Sequence, residues 1–270
     1  MTYRRGALLW AHMIHRINIE DINRIAREAG KAVLEIYGTE FSVDVKEDKS
    51  PLTEADRCSN AVIVSSLEKQ YPEIPIISEE TRAVTYPERK DWEYFWLVDP
   101  LDGTKEFIKR NGEFTVNIAL VRGRTPVMGV VFQPVGDHLY YAVEGQGAWK
   151  SSGGAAAQRL SGGAHFSVKS QVTVVASRSH LTDEVRQFVS DLEAQGKKVE
   201  FISAGSSLKL CLVAEGTADV YPRLGPTMEW DTAAAHAVAI ESGRRVLEHG
   251  TNRELLYNKE NLLNPFFIVE

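Results

Sequence analysis

The sequence predicts an α+β fold. Stretches with helical and with strand periodicity follow one another irregularly along the 270 residues, without the regular βαβ order of a doubly wound fold and without an internal repeat. Hydrophobic residues make up 43% of the chain, so a protein of this length can bury a large core without disulfides. This composition excludes a disordered chain and a coiled coil.

The first half of the chain is predicted to form two helices and then a series of strands. Apolar residues recur at helical spacing over 18–37, and Gly38 ends the pattern. Thr53 and Asp56 fit a capping box, which predicts that a second helix begins there and ends at Tyr71-Pro72. The strand-like runs that follow are 74–77, 94–98, 115–121, 127–133 and His138–Val143, of which the last two form a hairpin.

A change in composition divides the chain into two predicted domains. The segment 151–164 is rich in Ser, Gly and Ala and predicts a mobile loop, and the boundary lies just beyond it. The later elements are strands at 172–176 and 218–221 and helices at 182–195, 206–215 and 232–241. The predicted units are an extension outside the core at 1–12, an N-terminal α+β domain at 13–168 and a C-terminal α/β domain at 169–270.

Charge and cysteine content narrow the class of protein. A net charge of −6 argues against binding nucleic acid through a general basic field, but it permits a small anionic substrate. Cys58 and Cys211 form no C-x-x-C pattern, which fits a reducing cytoplasm. No apolar run approaches the ~20 residues of an integral membrane segment. Peripheral attachment to the cytoplasmic face of an inner membrane, and the choice between monomer and homodimer, stay open.

The segment 96–107 carries the most chemistry. An apolar strand ends at Asp99, Pro100 fixes a turn, and Gly103 permits unusual backbone angles, so Asp99 and Asp102 can point at one spot. Two close carboxylates repel each other unless a cation joins them, and such hard oxygen ligands suit magnesium. The amides of Gly103 and Thr104 open a predicted helix, where an anion can bind. Ordinary Asp-Pro and Asp-Gly turns explain this segment alone equally well.

Two further acidic spots strengthen the metal interpretation. Glu79 follows a predicted strand in Ser-Glu-Glu, and Asp231 opens the alanine-rich helix in Trp-Asp-Thr-Ala-Ala. Each alone is better explained as part of a helix start. With Asp-Pro-Leu-Asp-Gly-Thr between them, they make the chain resemble the inositol monophosphatase superfamily from about residue 19 to the C-terminus. The resemblance implies a layered α/β/α/β/α sandwich and a magnesium-dependent, lithium-sensitive phosphomonoesterase.

The resemblance also implies roles for individual residues. Metal ligands would be the side chains of Glu79, Asp99, Asp102 and Asp231 and the carbonyl of Leu101, most of them in the first predicted domain. Gly103 and Thr104 would contact the reacting phosphate, beside Glu79, Leu101, Asp102 and Asp231. Asp56 would work with Thr104 on the attacking water, and Glu79 would complete the catalytic set. The role of Glu80 stays open.

The second half discriminates between substrates. Lys209, in Gly-Ser-Ser-Leu-Lys, and Arg223, in Tyr-Pro-Arg, suit a substrate with a second phosphate, although a cap at Ser206 and a surface lysine are an ordinary alternative. Within the superfamily these runs resemble the bacterial 3'(2'),5'-bisphosphate nucleotidases. That resemblance implies hydrolysis of adenosine 3',5'-bisphosphate to AMP, with nucleotide contacts from Ser206, Lys209 and Arg223. Family members also approach the nucleotide at the position of Ser177-Arg178-Ser179-His180, although a lone histidine is more often structural. An inositol or sugar phosphatase with the same metal site, and a catalytically silent nucleotide-binding protein, are the alternatives.

Overall fold

The described part of the chain covers almost all of the predicted elements. The structure, a computed structural model, describes residues 13–45, 51–81, 84–176 and 182–270. The predicted extension at 1–12 and the segment 177–180 lie outside the described residues, so both stay predictions. Within the described ranges, no helix is both long and apolar enough to cross a membrane. The cytoplasmic location also stays a prediction.

The first half begins with helices and continues as a large sheet. Its helices are α1 (Met13–Arg16), α2 (Ile19–Tyr37), α3 (Glu54–Gln70), α4 (Tyr86–Arg89) and α5 (Thr104–Ile108). Its strands are β1 (Val43–Val45), β2 (Pro51–Thr53), β3 (Ile76–Ser78), β4 (Tyr94–Asp102), β5 (Thr115–Arg122), β6 (Thr125–Gln133), β7 (His138–Val143), β8 (Gly147–Ser152) and β9 (Gln158–Arg159). Strands β3 to β9 form one sheet in sequence order, in which only the β3–β4 pair is parallel.

The second half adds a second layer of strands. Its helices are α6 (Asp183–Ala194), α7 (Leu208–Ala214) and α8 (Glu229–Glu241). Its strands are β10 (Gln171–Ala176), β11 (Lys198–Ser203), β12 (Tyr221–Arg223), β13 (Val246–Glu248) and β14 (Phe267–Val269). Strands β10 and β11 pair in parallel, β12, β14 and β13 pair antiparallel in that order, and a bridge from Val174 to Val220 joins the two groups.

Alternate residues of β4 show how the layers are arranged. Trp96 and Val98 pack into the apolar cluster that holds the buried faces of α2 and α3. Phe95 and Leu97 point the other way, into a cluster shared with α7, α8 and the second group of strands. Beyond those strands, Leu192 of α6 packs on Val172 and Val174. The α+β class and the layered α/β/α/β/α sandwich are therefore confirmed.

Helix α8 lies between two sheets, and its sequence explains why it can. Its residues from Thr232 to Ala239 are all buried, because alanine is small enough for strands to approach on both sides. Gly129 of β6 removes the remaining obstacle, since a Cβ there would lie 2.1 Å from the carbonyl oxygen of Ala234. The core is thus shared by residues of both predicted domains, and the division at 168/169 stays a prediction.

The long periodic elements were predicted correctly, and several short ones were missed. Helix α2 and the capping box of Thr53 and Asp56 are confirmed. The prediction of a loop over 151–164 is wrong in part, because β8 runs to Ser152 and β9 pairs with it. Gly162 is also fixed there by a hydrogen bond from its N–H to the carbonyl of Ser242. Strands β1, β2, β8, β11, β13 and β14 were not predicted, since most are short and carry little alternation.

Replacing Gly129 by alanine should destabilise the protein. The added methyl group would meet the backbone of α8 rather than a flexible side chain, and overpacking of this kind costs about 1–3 kcal/mol. Urea unfolding measures the effect. Gly38→Ala is the matched control, because a Cβ at Gly38 makes only an ordinary 3.6 Å contact with the carbonyl of Leu34. Equal stabilities of the two variants would contradict the close approach of β6 and α8.

Candidate active site

The acidic residues meet where β3 and β4 end and α8 begins. Glu79 directly follows β3, and Asp99 and Asp102 lie at the end of β4. The register of β4 against β5 shifts between Asp99 and Asp102, so that the turn of Pro100 and Leu101 bulges out of the sheet. Asp231 comes from the first turn of α8, in the other half of the chain.

Three of these carboxylates form a compact cluster. Oxygen atoms of Glu79, Asp99 and Asp231 lie within 4.8 Å of one another. Burial raises the pKa of Asp99 well above its usual value, and the negative charges of Glu79, Asp102 and Asp231 raise it further. Burial and the charge of Asp102 likewise raise the pKa of Asp231. Like charges crowded in this way are stabilised by a bound cation, and a set of carboxylate oxygens fits a hard divalent metal.

The first turn of α8 is held in place by a buried carboxylate outside the cluster, that of Glu229. Glu229 is fully buried and accepts hydrogen bonds from the backbone N–H groups of Asn258 and Lys259, at 2.7 and 3.0 Å, and from the Lys259 ammonium at 2.6 Å. Asp231 accepts from the Met228 N–H at 2.9 Å. These contacts fix where Asp231 enters the cluster.

Asp102 lies between the acidic cluster and a buried cation. Burial raises its pKa to about 6, while the charge of Lys209 and a hydrogen bond from the Ser207 N–H oppose that rise. The Ser207 nitrogen lies 2.6 Å from Asp102 Oδ2, and Asn117 Nδ2 lies 3.4 Å from the same oxygen. A cavity of about 660 Å³ is lined by all the expected metal ligands together with the phosphate turn: Glu79, Asp99, Leu101, Asp102, Gly103, Thr104 and Asp231.

Asp56 and Thr104 are in contact, as the resemblance implies. Thr104 Oγ1 lies 3.2 Å from Asp56 Oδ1 and 3.3 Å from the carbonyl of Leu101, so its hydroxyl proton has two acceptors. The other oxygen of Asp56 accepts from the N–H and the hydroxyl of Thr53. Asp56 therefore caps α3 and contacts Thr104 at the same time. Gly103 has φ of +91°, a left-handed conformation that favours glycine at this turn.

A smaller cavity of about 140 Å³ continues from the acidic one. Asp102, Gly103 and Asp231 border both cavities, and Ser206, Lys209 and Arg223 line the smaller one. Burial lowers the pKa of Lys209 to about 8, although the charge of Asp102 opposes the shift. Among the described residues, neither Arg223 Nε nor Ser206 Oγ has a hydrogen-bond partner, and both atoms are buried. Because buried polar groups are normally hydrogen-bonded, these two donors indicate a ligand that supplies the missing acceptors.

Within the described residues, the structure brings together the predicted metal ligands, the phosphate turn, Asp56 and the predicted nucleotide contacts Ser206, Lys209 and Arg223, and it adds residues that were missed. Ser207, Asn117 and Thr115 are buried and hydrogen-bonded around Asp102, and Lys105 lines both cavities. Ser207 stands in the Gly-Ser-Ser-Leu-Lys run and Asn117 in the predicted strand 115–121, but nothing in their spacing indicated that these distant segments meet. The segment 177–180 lies outside the described residues.

Comparisons with known proteins agree with this geometry. The chain belongs to the inositol monophosphatase family, a family of metal-dependent phosphatases, whose profile matches residues 18–265. It is similar to "3'(2'),5'-bisphosphate nucleotidase CysQ" of Salmonella typhimurium, with 45% identity over 93% of this chain and 98% of the relative. The protein of that name from Escherichia coli K12 is 44% identical over the same shares. The solved structure of CysQ from Bacteroides thetaiotaomicron covers 91% of this chain and 94% of its own, with 49% identity and a TM-score of 0.80.

A divalent cation should stabilise the protein through the acidic cluster. A ligand that binds only the native state at about a hundred times its Kd adds ~2.7 kcal/mol to the free energy of unfolding. In Asp99→Asn one repelling charge is removed, so this variant should be at least as stable as wild type without the cation and should gain less from it. Thermal unfolding with and without magnesium measures both effects. Equal gains in the two proteins would overturn the metal assignment of Asp99.

Proposed function

We propose that the protein is a magnesium-dependent 3'(2'),5'-bisphosphate nucleotidase, which hydrolyses adenosine 3',5'-bisphosphate to AMP and phosphate. The observation that carries this proposal is the position of the buried Lys209 and the partly buried Arg223 in a cavity that opens onto the acidic cluster. A phosphate ester could place the phosphate to be hydrolysed at the acidic cluster and a second anionic group on Lys209 and Arg223, so that it occupies both cavities. The names of the relatives at 44–45% identity support the same substrate class.

Four carboxylates and one carbonyl would hold the magnesium ions. These groups are the side chains of Glu79, Asp99, Asp102 and Asp231 and the carbonyl of Leu101, all of which line the larger cavity. Bound magnesium neutralises phosphate oxygens and lowers the pKa of a water. Glu79 would act in catalysis through the same carboxylate, which lies in the acidic cluster with Asp99 and Asp231.

Asp56 and Thr104 would orient the attacking water. Since the hydroxyl of Thr104 can donate a hydrogen bond to Asp56 Oδ1, a lone pair of Thr104 Oγ1 is left to accept a hydrogen bond from water. That hydrogen bond points the oxygen of the water at the phosphorus. The turn at Gly103 brings its backbone close to the reacting phosphate, where a side chain would crowd the carbonyl of Glu113 and Ser206.

Ser206, Lys209 and Arg223 would bind the phosphate that is not hydrolysed. Arg223 already donates from Nη2 to the carbonyl of Pro226, which leaves Nε for the substrate. A guanidinium and an ammonium facing one anion give charge-assisted hydrogen bonds, the strongest class available here. An inositol or sugar monophosphate has no second phosphate to occupy them.

Phosphate release from adenosine 3',5'-bisphosphate and from inositol 1-phosphate, assayed side by side, tests the proposal. We expect a strong preference for the nucleotide, a requirement for magnesium, and inhibition by lithium. Preference for inositol phosphate would keep the metal chemistry and overturn the substrate assignment. Magnesium binding without turnover of either ester would indicate the silent nucleotide-binding protein instead.

Arg223→Ala should discriminate between substrates with and without the second phosphate. Losing a hydrogen bond to a charged group costs about 1.5–3 kcal/mol, so the KM for the bisphosphate should rise roughly ten-fold or more. The KM for 3'-AMP, which lacks the 5'-phosphate, should change little. Arg253→Ala is the control, since Arg253 is an exposed arginine paired with Glu248. Equal increases for both substrates would mean that Arg223 does not contact the second phosphate.

Asp56→Asn should lower kcat with little change in KM. The amide weakens the acceptor that holds the Thr104 hydroxyl, and positioned proton transfer contributes about 10²–10⁴-fold to rates. Glu88→Gln is a matched control, because Glu88 accepts from the N–H and hydroxyl of Thr85 just as Asp56 does from Thr53. Similar losses of activity in the two variants would mean that Asp56 acts only as a helix cap and not on the attacking water.

A further inference from the structure

One peptide group connects the two cavities directly. The carbonyl oxygen of Ser206 accepts a hydrogen bond from the Lys209 ammonium, at 2.7 Å. The N–H of the same peptide belongs to Ser207 and donates to Asp102 Oδ2, at 2.6 Å. A buried cation and a partly buried carboxylate therefore lie at opposite ends of a single amide.

The charges at its two ends polarise this amide. Lys209 is 6% exposed, and its charge acts on Asp102 across the peptide. An ammonium on the oxygen draws electrons from the amide and makes its N–H a stronger donor, as in other linked hydrogen bonds in a low dielectric. A stronger N–H withdraws negative charge from Asp102. An anion bound to Lys209 partly neutralises the ammonium, so the amide is less polarised and its N–H becomes a weaker donor. The carboxylate of Asp102 then keeps more of its negative charge.

Buried side chains hold the peptide in this orientation. The Ser207 hydroxyl donates to Asn117 Oδ1 at 2.9 Å, and Thr115 Oγ1 lies 2.9 Å from Ser207 Oγ. Because the only proton of the Ser207 hydroxyl goes to Asn117, the Thr115 hydroxyl must donate to Ser207. Asn117 in turn reaches Asp102 Oδ2 through Nδ2, which closes the set of hydrogen bonds on the same carboxylate.

The surrounding backbone leaves the turn little freedom. Ser206 has φ of +46°, a left-handed conformation that is uncommon for residues other than glycine. A Cβ at Gly205 would lie 2.5 Å from the carbonyl of Glu113, and one at Gly103 would lie 3.3 Å from the Ser206 Cβ. The turn of 205–207 is thus packed against the turn at Gly103, and a displacement of one turn would displace the other.

We propose that the Ser206–Ser207 peptide couples the second-phosphate cavity to Asp102, with Ser207 as the positioning residue that keeps the peptide aligned. An anion on Lys209 then strengthens magnesium binding by Asp102, so the phosphate that is not hydrolysed prepares the metal site. This inference rests on the proposed function, because it takes Asp102 as a metal ligand and Lys209 as a contact of the nucleotide. It adds Ser207, Thr115 and Asn117 to the residues that act on the reaction.

Calorimetric titration of magnesium, without turnover, tests the coupling. AMP carries only the phosphate that would occupy the Lys209 cavity, and saturating AMP should lower the magnesium Kd of wild type about five-fold or more. In Ser207→Ala this effect of AMP should largely disappear, and in Thr115→Val it should be reduced. The affinity for AMP in magnesium-free buffer should stay unchanged in both variants, since Lys209 and Arg223 remain.

Ser242→Ala is the matched control, because Ser242 is a buried serine whose hydroxyl donates only to a backbone carbonyl, that of Ala239, in the described structure. Its coupling should equal that of wild type. Undiminished coupling in Ser207→Ala and Thr115→Val, with AMP bound normally, would overturn the inference alone. Weaker AMP binding in the two variants would assign Ser207 a general structural role and overturn it as well. Failure of wild type to bind AMP would overturn the proposed substrate, and the inference with it.

Discussion

The mutual repulsion of buried carboxylates is the constraint on which the rest of the site depends. Asp99 is 1% exposed, and its neighbours Glu79, Asp102 and Asp231 carry the same charge. Placing such groups together away from water costs free energy that only a cation or a set of donors can offset. The surrounding structure supplies hydrogen-bond donors to Asp102, among them the N–H of Ser207, and leaves Glu79, Asp99 and Asp231 facing one another.

The layered fold makes this arrangement possible. Asp99 and Asp102 lie at the end of β4, which is paired on both sides, and Asp231 lies on a helix packed between two sheets. Neither element can therefore move away from the other. Gly129 lets the helix approach the sheet, and the buried Glu229 fixes the first turn of that helix. The energy of the apolar core thus holds in place a charged cluster that would not assemble by itself.

The two cavities share a wall, so one substrate can extend into both. Asp102 lies beside the acidic cluster, and a single peptide group joins it to Lys209. The specificity proposed here follows from that continuity rather than from any isolated residue. Under the proposed function, a monophosphate at the acidic cavity would leave Ser206 Oγ and Arg223 Nε without a hydrogen-bond partner.

Much of the fold and of the site could be predicted from the sequence. The helical spacing of α2, the capping box at Thr53 and the strand leading to Asp99 are local patterns, and local patterns reflect the backbone and the buried face directly. Strands β13 and β14 escaped prediction because three residues carry too little periodicity.

By itself the sequence determined which residue types the site would contain, since carboxylates, a glycine turn and two cations stand in recognisable runs. Only the tertiary structure decided that Ser207 and Asn117 meet at Asp102. These contacts join residues that are far apart in the chain, such as Asp102 and Ser207. Spacing along a chain cannot show such contacts, because they depend on how helices and sheets pack.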